Sequence, residues 1–272
     1  MRYILLHGHI FKNAGSTMDW SLPRIFGDRF LDHRQDKPMR QAGRELLAQL
    51  VEQDEQLCAL SSHHMTGDLP QIRGVNFISV NLLRHPLIRL RSVYDFERHQ
   101  QGETPGARAA KQKGFRDYVA WRMQPDVART IRNYQTLYLA GRHHPTDNAE
   151  IARHYFSAAL AKVASGAFVG VVERYDESMV VLEEQLRGIF PAIDLSYVRQ
   201  NVSAGRKVGE TEERLVAAVL SELGDLQKQV IDENSFDLAL YQAGSAALQS
   251  KIEGVENFAL KLANFRQRCA SL

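Results

Sequence analysis

Apolar and polar positions divide the chain into short β-rich runs separated by longer amphipathic stretches. The first run, Tyr3 to His7, is closed by Gly8 and reads as a strand. A helix is expected from about Gly15 to Leu22, with Pro23 as its stop or kink. Residues 56–62 (QLCALSS) supply a second strand and Val75 to Leu83 a third. The third is apolar along most of its length, which suits a strand covered on both faces. Pro86 fits the first turn of the helix that follows. Residues 102–114 are polar, basic and glycine-bearing and read as a mobile loop, whereas 115–123, 128–141 and 148–164 read as helices. Ala167 to Glu173 is the fourth strand, followed by a helix from about Asp176 to Phe190. Residues 191–211 are irregular, and from Glu210 the chain is mostly helical. Strands alternating with helices imply an α/β fold with a mostly parallel central sheet flanked by helices. Without a repeat, a low-complexity tract or a linker, residues 1–272 read as one domain whose part 210–272 is mainly helical.

Composition alters this picture little. In 272 residues, 44% hydrophobic and 24% charged, there is enough apolar material for a core without disulfide support. A net charge of +2 gives no reason to expect nucleic acid or an anionic membrane as partner, so any preference for anions must be local. Cys58 and Cys269 stand far apart in no metal-ligand spacing and read as thiols of a reducing compartment. The opening MRYILLHGH is too short and too soon polar for a signal peptide, and no apolar run approaches the roughly 20 residues of a membrane span.

Candidate chemistry gathers in three stretches. In LLHGHIFKNAGSTMDW, a strand, a turn with Gly15 and a helix start would aim backbone N–H groups and the helix dipole at one point. Such a point holds phosphate or sulfate, with a dipole contribution of about 0.3–1 kcal/mol. Ser16 and Thr17 add hydroxyls and Lys12 a charge. The lysine precedes the glycine, whereas the ATP-binding pattern G-x-x-x-x-G-K-[ST] places it after, so there is no ordinary site for a magnesium triphosphate. A Ser- or Thr-capped helix with a chance lysine would read the same way. In LLRHPLIRLRSVYDF, Arg84 stands just past a buried strand and Ser92 lies in the next helix, with Arg89 as its neighbour on the helix surface. An Arg and a helical Ser at the carboxyl end of a parallel strand can clamp a second phosphate. Taken alone, Arg84, Arg89 and Arg91 would equally make a solvated basic surface. In ALSSHHMTGDL, His63 and His64 follow a strand at the same edge of the sheet. Imidazole takes up a proton near neutral pH, and as a general base it contributes roughly 10²–10⁴ in rate. The pairs His63-His64 and His143-His144 make poor joint metal ligands, since adjacent side chains in a strand face opposite ways, and no metal is expected.

Together, HIFKNAGST and LLRHPLIRLRSVYDF resemble the sulfotransferases that use 3′-phosphoadenosine 5′-phosphosulfate (PAPS). The nearest branch is the carbohydrate one that includes the heparan sulfate and uronyl 2-O-sulfotransferases. The first stretch is similar to their 5′-phosphosulfate loop, commonly His-Ile-Pro-Lys-Thr-Ala-Gly-Thr. The second is similar to their 3′-phosphate motif, here Arg84, Pro86 and Ser92. VGVVERYDESMVVLEEQL looks like a strand–helix segment late in that family, and the likeness runs from Met1 to about Arg206. It implies a P-loop NTPase-like sulfotransferase fold. It implies that Lys12 stabilises charge on the bridging oxygen, that Asn13, Ala14, Gly15, Ser16 and Thr17 hold the 5′ end of the donor, and that Arg84 and Ser92 fix the 3′-phosphate. Residues 201–206 match a loop that closes over the donor, with Ser203 and Arg206 as ligands. The 2-O-sulfotransferase pattern matches best with His64 as the catalytic base and His63 as the alternate. Phe11 stands where Pro is usual, Asn13 where Thr is usual, and His85 replaces a more common charged residue.

The resulting expectation is a cytoplasmic, bacterial enzyme that moves a sulfonate from PAPS to an acceptor hydroxyl. The acceptor is a carbohydrate or glycoconjugate, and the displacement is in line with a histidine base. The rival readings are a nucleotide-dependent phosphotransferase and a non-catalytic module that binds a nucleotide or glycan.

Overall fold

The computed structural model describes residues 1–141, 146–165, 167–198, 200 and 210–272. Ser203, Arg206, His143 and His144 lie outside the described residues. Five strands, β1 (Arg2–Gly8), β2 (Phe30–His33), β3 (Ala59–Ser62), β4 (Val75–Leu83) and β5 (Phe168–Val171), pair in the order β2-β3-β1-β4-β5. Every pairing is parallel. β1 is central: Leu5 stands opposite Ala59 of β3 on one side and Ile78 of β4 on the other. The fold is α/β, as the alternation of strands and helices implies, with one strand more than the apolar runs alone suggest.

Helices occupy both faces. α1 (Gly15–Phe26) follows β1, α2 (Asp36–Gln53) follows β2, and α3 (Pro86–His99) follows β4. Successive side chains of a strand point to opposite faces, and β1 uses this fully. Leu5, with Ala59 and Val80, joins Met18, Leu22 and Phe26 of α1 in one cluster. Ile4 and Leu6, with Leu60, join Leu47 and Val51 of α2 in another. α4 (Pro105–Gln112), α5 (Phe115–Arg122), α6 (Tyr134–Leu139) and α7 (Ala149–Ala164) precede β5, and α8 (Tyr175–Leu186) follows it. The C-terminal part consists of α9 (Glu212–Leu223), α10 (Gln227–Glu233), α11 (Ser235–Glu253) and α12 (Phe258–Ala270). α3, α4, α5 and α9 share a separate core around Tyr94, Tyr118 and Leu223. Among the described residues, no helix is long and apolar enough to cross a membrane.

Three expectations need correction. The stretch expected as a mobile loop contains α4, whose first turn is capped by Thr104 Oγ1 accepting the Ala107 N–H at 3.2 Å and opens on Pro105. Its Ala107, Ala109 and Ala110 are buried, so small residues here mark close packing and not mobility. α1 does not stop at Pro23 but runs on to Phe26, with the Gly27 N–H bonded to the Pro23 carbonyl. The helix expected over 128–141 is only Tyr134–Leu139. Its N-terminus is set by the buried Asp237 of α11, which accepts the N–H groups of Gln135 and Thr136 at 3.0 and 2.7 Å.

Candidate functional site

The residue that directly follows each strand lines one cleft: His9 after β1, Arg34 after β2, His63 after β3, Arg84 after β4 and Val172 after β5. The cleft has a volume of about 690 Å³ and sits at the carboxyl edge of the sheet, where open parallel sheets bind their ligands. Phe11, Lys12, Ala14, Gly15, Ser16 and Thr17 form its floor, and Ser92 and Phe96 of α3 close one side.

The floor is a strained turn. Lys12 and Ala14 both have left-handed backbones, with φ of 65° and 60°. For residues with a Cβ, such a conformation costs on the order of 1–3 kcal/mol each and persists only where its surroundings enforce it. The enforcing residue is Asn13, whose Nδ2 donates to the Leu82 carbonyl at 2.7 Å and to Gln135 Oε1 at 2.6 Å. Its side chain is therefore turned into the protein, away from the cleft, and is 1% exposed as a residue. Gln135 in turn accepts the Arg84 N–H at 2.8 Å and donates to the Arg84 carbonyl at 2.9 Å. One buried glutamine thus locks the turn to the end of β4. Gly15 allows a further close approach, since a Cβ there would overlap the His9 ring.

Two cations sit over this turn. Arg84 Nη1 donates to the Lys12 carbonyl at 2.9 Å, and its Nε lies 3.7 Å from Glu173. Lys12 Nζ lies 4.6 Å from the centre of the Phe96 ring. Burial, with Arg84 and Arg89 nearby, lowers its pKa to about 8. Ser92 is buried in the cleft wall. Arg89 is not part of that wall: it donates to the carbonyls of Phe11 and Thr130 at 3.0 and 2.9 Å and braces the turn from beneath.

The histidines divide differently from the sequence expectation. His63 lines the cleft; His64 does not, and its Nε2 faces Asp36 at 3.6 Å. β3 ends at Ser62, so the pair lies in a turn. Arg34 Nη1 approaches His63 Nε2 at 2.6 Å. Guanidinium can only donate, so this lone pair is already taken. Burial, then His9 and Arg34, lower the pKa of His63 to about 4. The histidine best placed to accept a proton is His9. Its Nδ1 lies 2.6 Å from Asp19 Oδ2, a pure acceptor, so Nδ1 carries the hydrogen and Nε2 holds the basic lone pair. Arg34 Nη1, 3.3 Å from the same Nδ1, is then a neighbour and not a donor to it. Burial keeps His9 below the ordinary histidine value, against the pull of Asp19.

Asp19 itself is nearly enclosed. It accepts hydrogen bonds from His7 Nδ1 at 2.8 Å, His9 at 2.6 Å, Arg34 Nη2 at 2.7 Å and Ser61 Oγ at 2.6 Å. Burial alone would raise its pKa, but the bonds from His7 and His9 hold it well below the usual carboxylate range. The arrangement is a carboxylate–imidazole pair set beside the Lys12–Thr17 turn. Sequence reasoning missed His9, Asp19, Arg34, Gln135 and Glu173. A signal existed for the first two: His7 at the end of β1 and His9 just past it are two apart, and Asp19 falls on the turn of α1 that returns to them.

No family model matches the chain. An uncharacterized protein of Archaeoglobus fulgidus is 33% identical over 248 residues, spanning 89% of this chain and 95% of the relative. At that identity and coverage the chain belongs to the same protein family as this archaeal protein.

Proposed function

We propose that the protein transfers a sulfonate group from PAPS to an acceptor hydroxyl, on a carbohydrate or glycoconjugate, within a P-loop NTPase-like sulfotransferase fold. One observation carries the reading: the Lys12–Thr17 turn and the Arg84–Ser92 pair, two groups with the chemistry to hold anions, open on the same cleft at the carboxyl edge of a parallel sheet. A donor with phosphates at both its 5′ and 3′ positions fits that pair of stations, and a donor with only one does not use both. Bound there, PAPS supplies an activated sulfonate and a leaving phosphate. The start of α1 offers backbone N–H groups and the Ser16 and Thr17 hydroxyls to the 5′ end. Arg84 and Ser92 hold the 3′-phosphate. His9 Nε2 takes the acceptor proton as the acceptor oxygen bonds to sulfur and the bond from sulfur to the bridging oxygen breaks. Asp19 holds the imidazolium that results. Lys12, mostly protonated near neutral pH, stabilises the electron pair left on the bridging oxygen.

The test is radiolabelled sulfonate transfer from PAPS into a panel of oligosaccharides and cell-envelope extracts. Transfer is expected, and Lys12→Ala should lower turnover roughly 10²–10³-fold, the usual loss for a group that stabilises developing charge. Binding of adenosine 3′,5′-bisphosphate should change far less. A Lys12→Ala protein with wild-type turnover would rule out the role given to that lysine, and absence of transfer to every acceptor would count against the reaction.

A further inference from the structure

The carboxyl group of Glu173 has no part in the chemistry above, yet it stands in the cleft wall just past β5 with its side chain 5% exposed. Oε2 accepts the His85 N–H at 3.2 Å, while Oε1 accepts no hydrogen bond from the described residues and lies 3.7 Å from Arg84 Nε. His85 belongs to the same β4–α3 junction as Arg84. Tyr241 of α11 faces both carboxyl groups, Glu173 and Glu212 of α9, and gives its hydroxyl to Glu212 at 2.6 Å. Arg174, the next residue in the chain, is paired with Glu177. Lys12 lies beyond Arg84, whose guanidinium donates to the Lys12 carbonyl. Among the described residues Arg84 is thus the cation that answers Glu173, and Glu212 adds a second negative charge nearby. Burial, opposed by Arg84, raises the Glu173 pKa above the ordinary glutamate value.

A phosphate on Arg84 would make that arginine answer two anions at once. A carboxylate and a phosphate sharing one cation in a low-dielectric wall do not both keep full charge, and one of them takes up a proton. We propose that Glu173 is the proton-carrying residue of the 3′-phosphate pocket, so that the phosphate enters together with a proton on Glu173, whose O–H then donates to a phosphate oxygen. The inference rests on the assignment of Arg84 and Ser92 to the 3′-phosphate. Its consequence is directional. Bisphosphate affinity is flat below the pKa of Glu173 in the free protein, falls as pH rises between the free and bound values by roughly tenfold per unit, and levels off above them. Product is therefore held more tightly at low pH and released more readily at high pH.

The experiment is titration calorimetry of adenosine 3′,5′-bisphosphate and of AMP, each in two buffers of different ionisation enthalpy, between about pH 6 and 8. Lys12 and His9 face the 5′ end of both nucleotides, so the difference in proton uptake isolates the 3′ end. The bisphosphate should take up more protons than AMP, by up to about one per site. Glu173→Gln keeps the shape and an acceptor for His85 while removing the charge. It should abolish the extra uptake and raise bisphosphate affinity at the alkaline end, a gain that structural damage does not produce. No extra uptake in the wild type, or an equal uptake in Glu173→Gln, overturns the role of Glu173. If instead the wild type binds AMP as tightly as the bisphosphate, the 3′-phosphate assignment itself falls.

Discussion

At the scale of single residues, the histidines are where the structure and the sequence expectation differ most, since His9 and His63 line the cleft and His64 does not. His63 and His64 follow a strand and match a family pattern, so they draw attention; His9 is hidden inside the turn motif. Its partner Asp19 lies ten residues on, and only the register of α1 against β1 brings the two to 2.6 Å. Lys12, Gly15, Arg84 and Ser92 were legible because each is fixed by its distance from a strand end, which the apolar runs already mark. His9→Ala should lower turnover roughly 10²–10⁴-fold with nucleotide binding largely kept, whereas His64→Ala should leave turnover close to wild type. The pH profile of kcat/KM carries the signs. His9 must be neutral, so activity is lost as pH falls through its pKa, which burial sets below the ordinary value of about 6.5. Lys12 must be charged, so activity is lost as pH rises through about 8. Lys12→Arg should move that upper limb out of the measurable range, since guanidinium keeps its proton. An unchanged upper limb would assign it to another group.

At the scale of elements, those marked by an apolar run or a terminal signal were visible, even the four-residue β3 and β5, and those without one were not. β1, β4 and α3 announce themselves through apolar runs and Pro86. β2 has four residues, one of them charged, and leaves no period to read. α2 is broken by non-helical dihedrals at Ala42 (φ −140°, ψ 43°), which puts its two halves out of phase. α6 is short because its start is dictated by Asp237, about a hundred residues later, and no local signal reports a cap supplied from another helix. That cap makes a prediction at the level of the element. Asp237 holds the N–H groups of Gln135 and Thr136 and the Thr136 hydroxyl, all buried. Asp237→Ala leaves those donors unpaired and should cost at least about 2 kcal/mol, read as a fall in the denaturant midpoint. Because Gln135 also locks the Asn13 turn to Arg84, the same variant should bind adenosine 3′,5′-bisphosphate more weakly, though Asp237 does not line the cleft. Unchanged binding in the destabilised variant would show that the turn holds its shape without this support.

At the scale of the whole molecule, five strand ends and the start of α1 converge on one cleft, so a ligand bound there should brace the sheet as a unit. Adenosine 3′,5′-bisphosphate in hundredfold excess over its dissociation constant should stabilise the protein by about 2.7 kcal/mol, and AMP at the same concentration by clearly less. Thermal melts with each nucleotide check this, and equal shifts would contradict it. The position of β1 has a consequence for how the protein is made. Of the five strands, the earliest in the chain is the centre of the sheet, and it gains its neighbours only when Ser62 and then Leu83 have been synthesised. Until then Ile4, Leu5 and Leu6 belong to a nascent strand with two open edges, the kind of exposed apolar segment that chaperones cover. The Lys12–Thr17 turn waits on the same event, because Asn13 reaches its conformation by bonding to the Leu82 carbonyl. A chain arrested before β4 should therefore be unable to hold a nucleotide, although every residue of the Lys12–Thr17 turn has already been made.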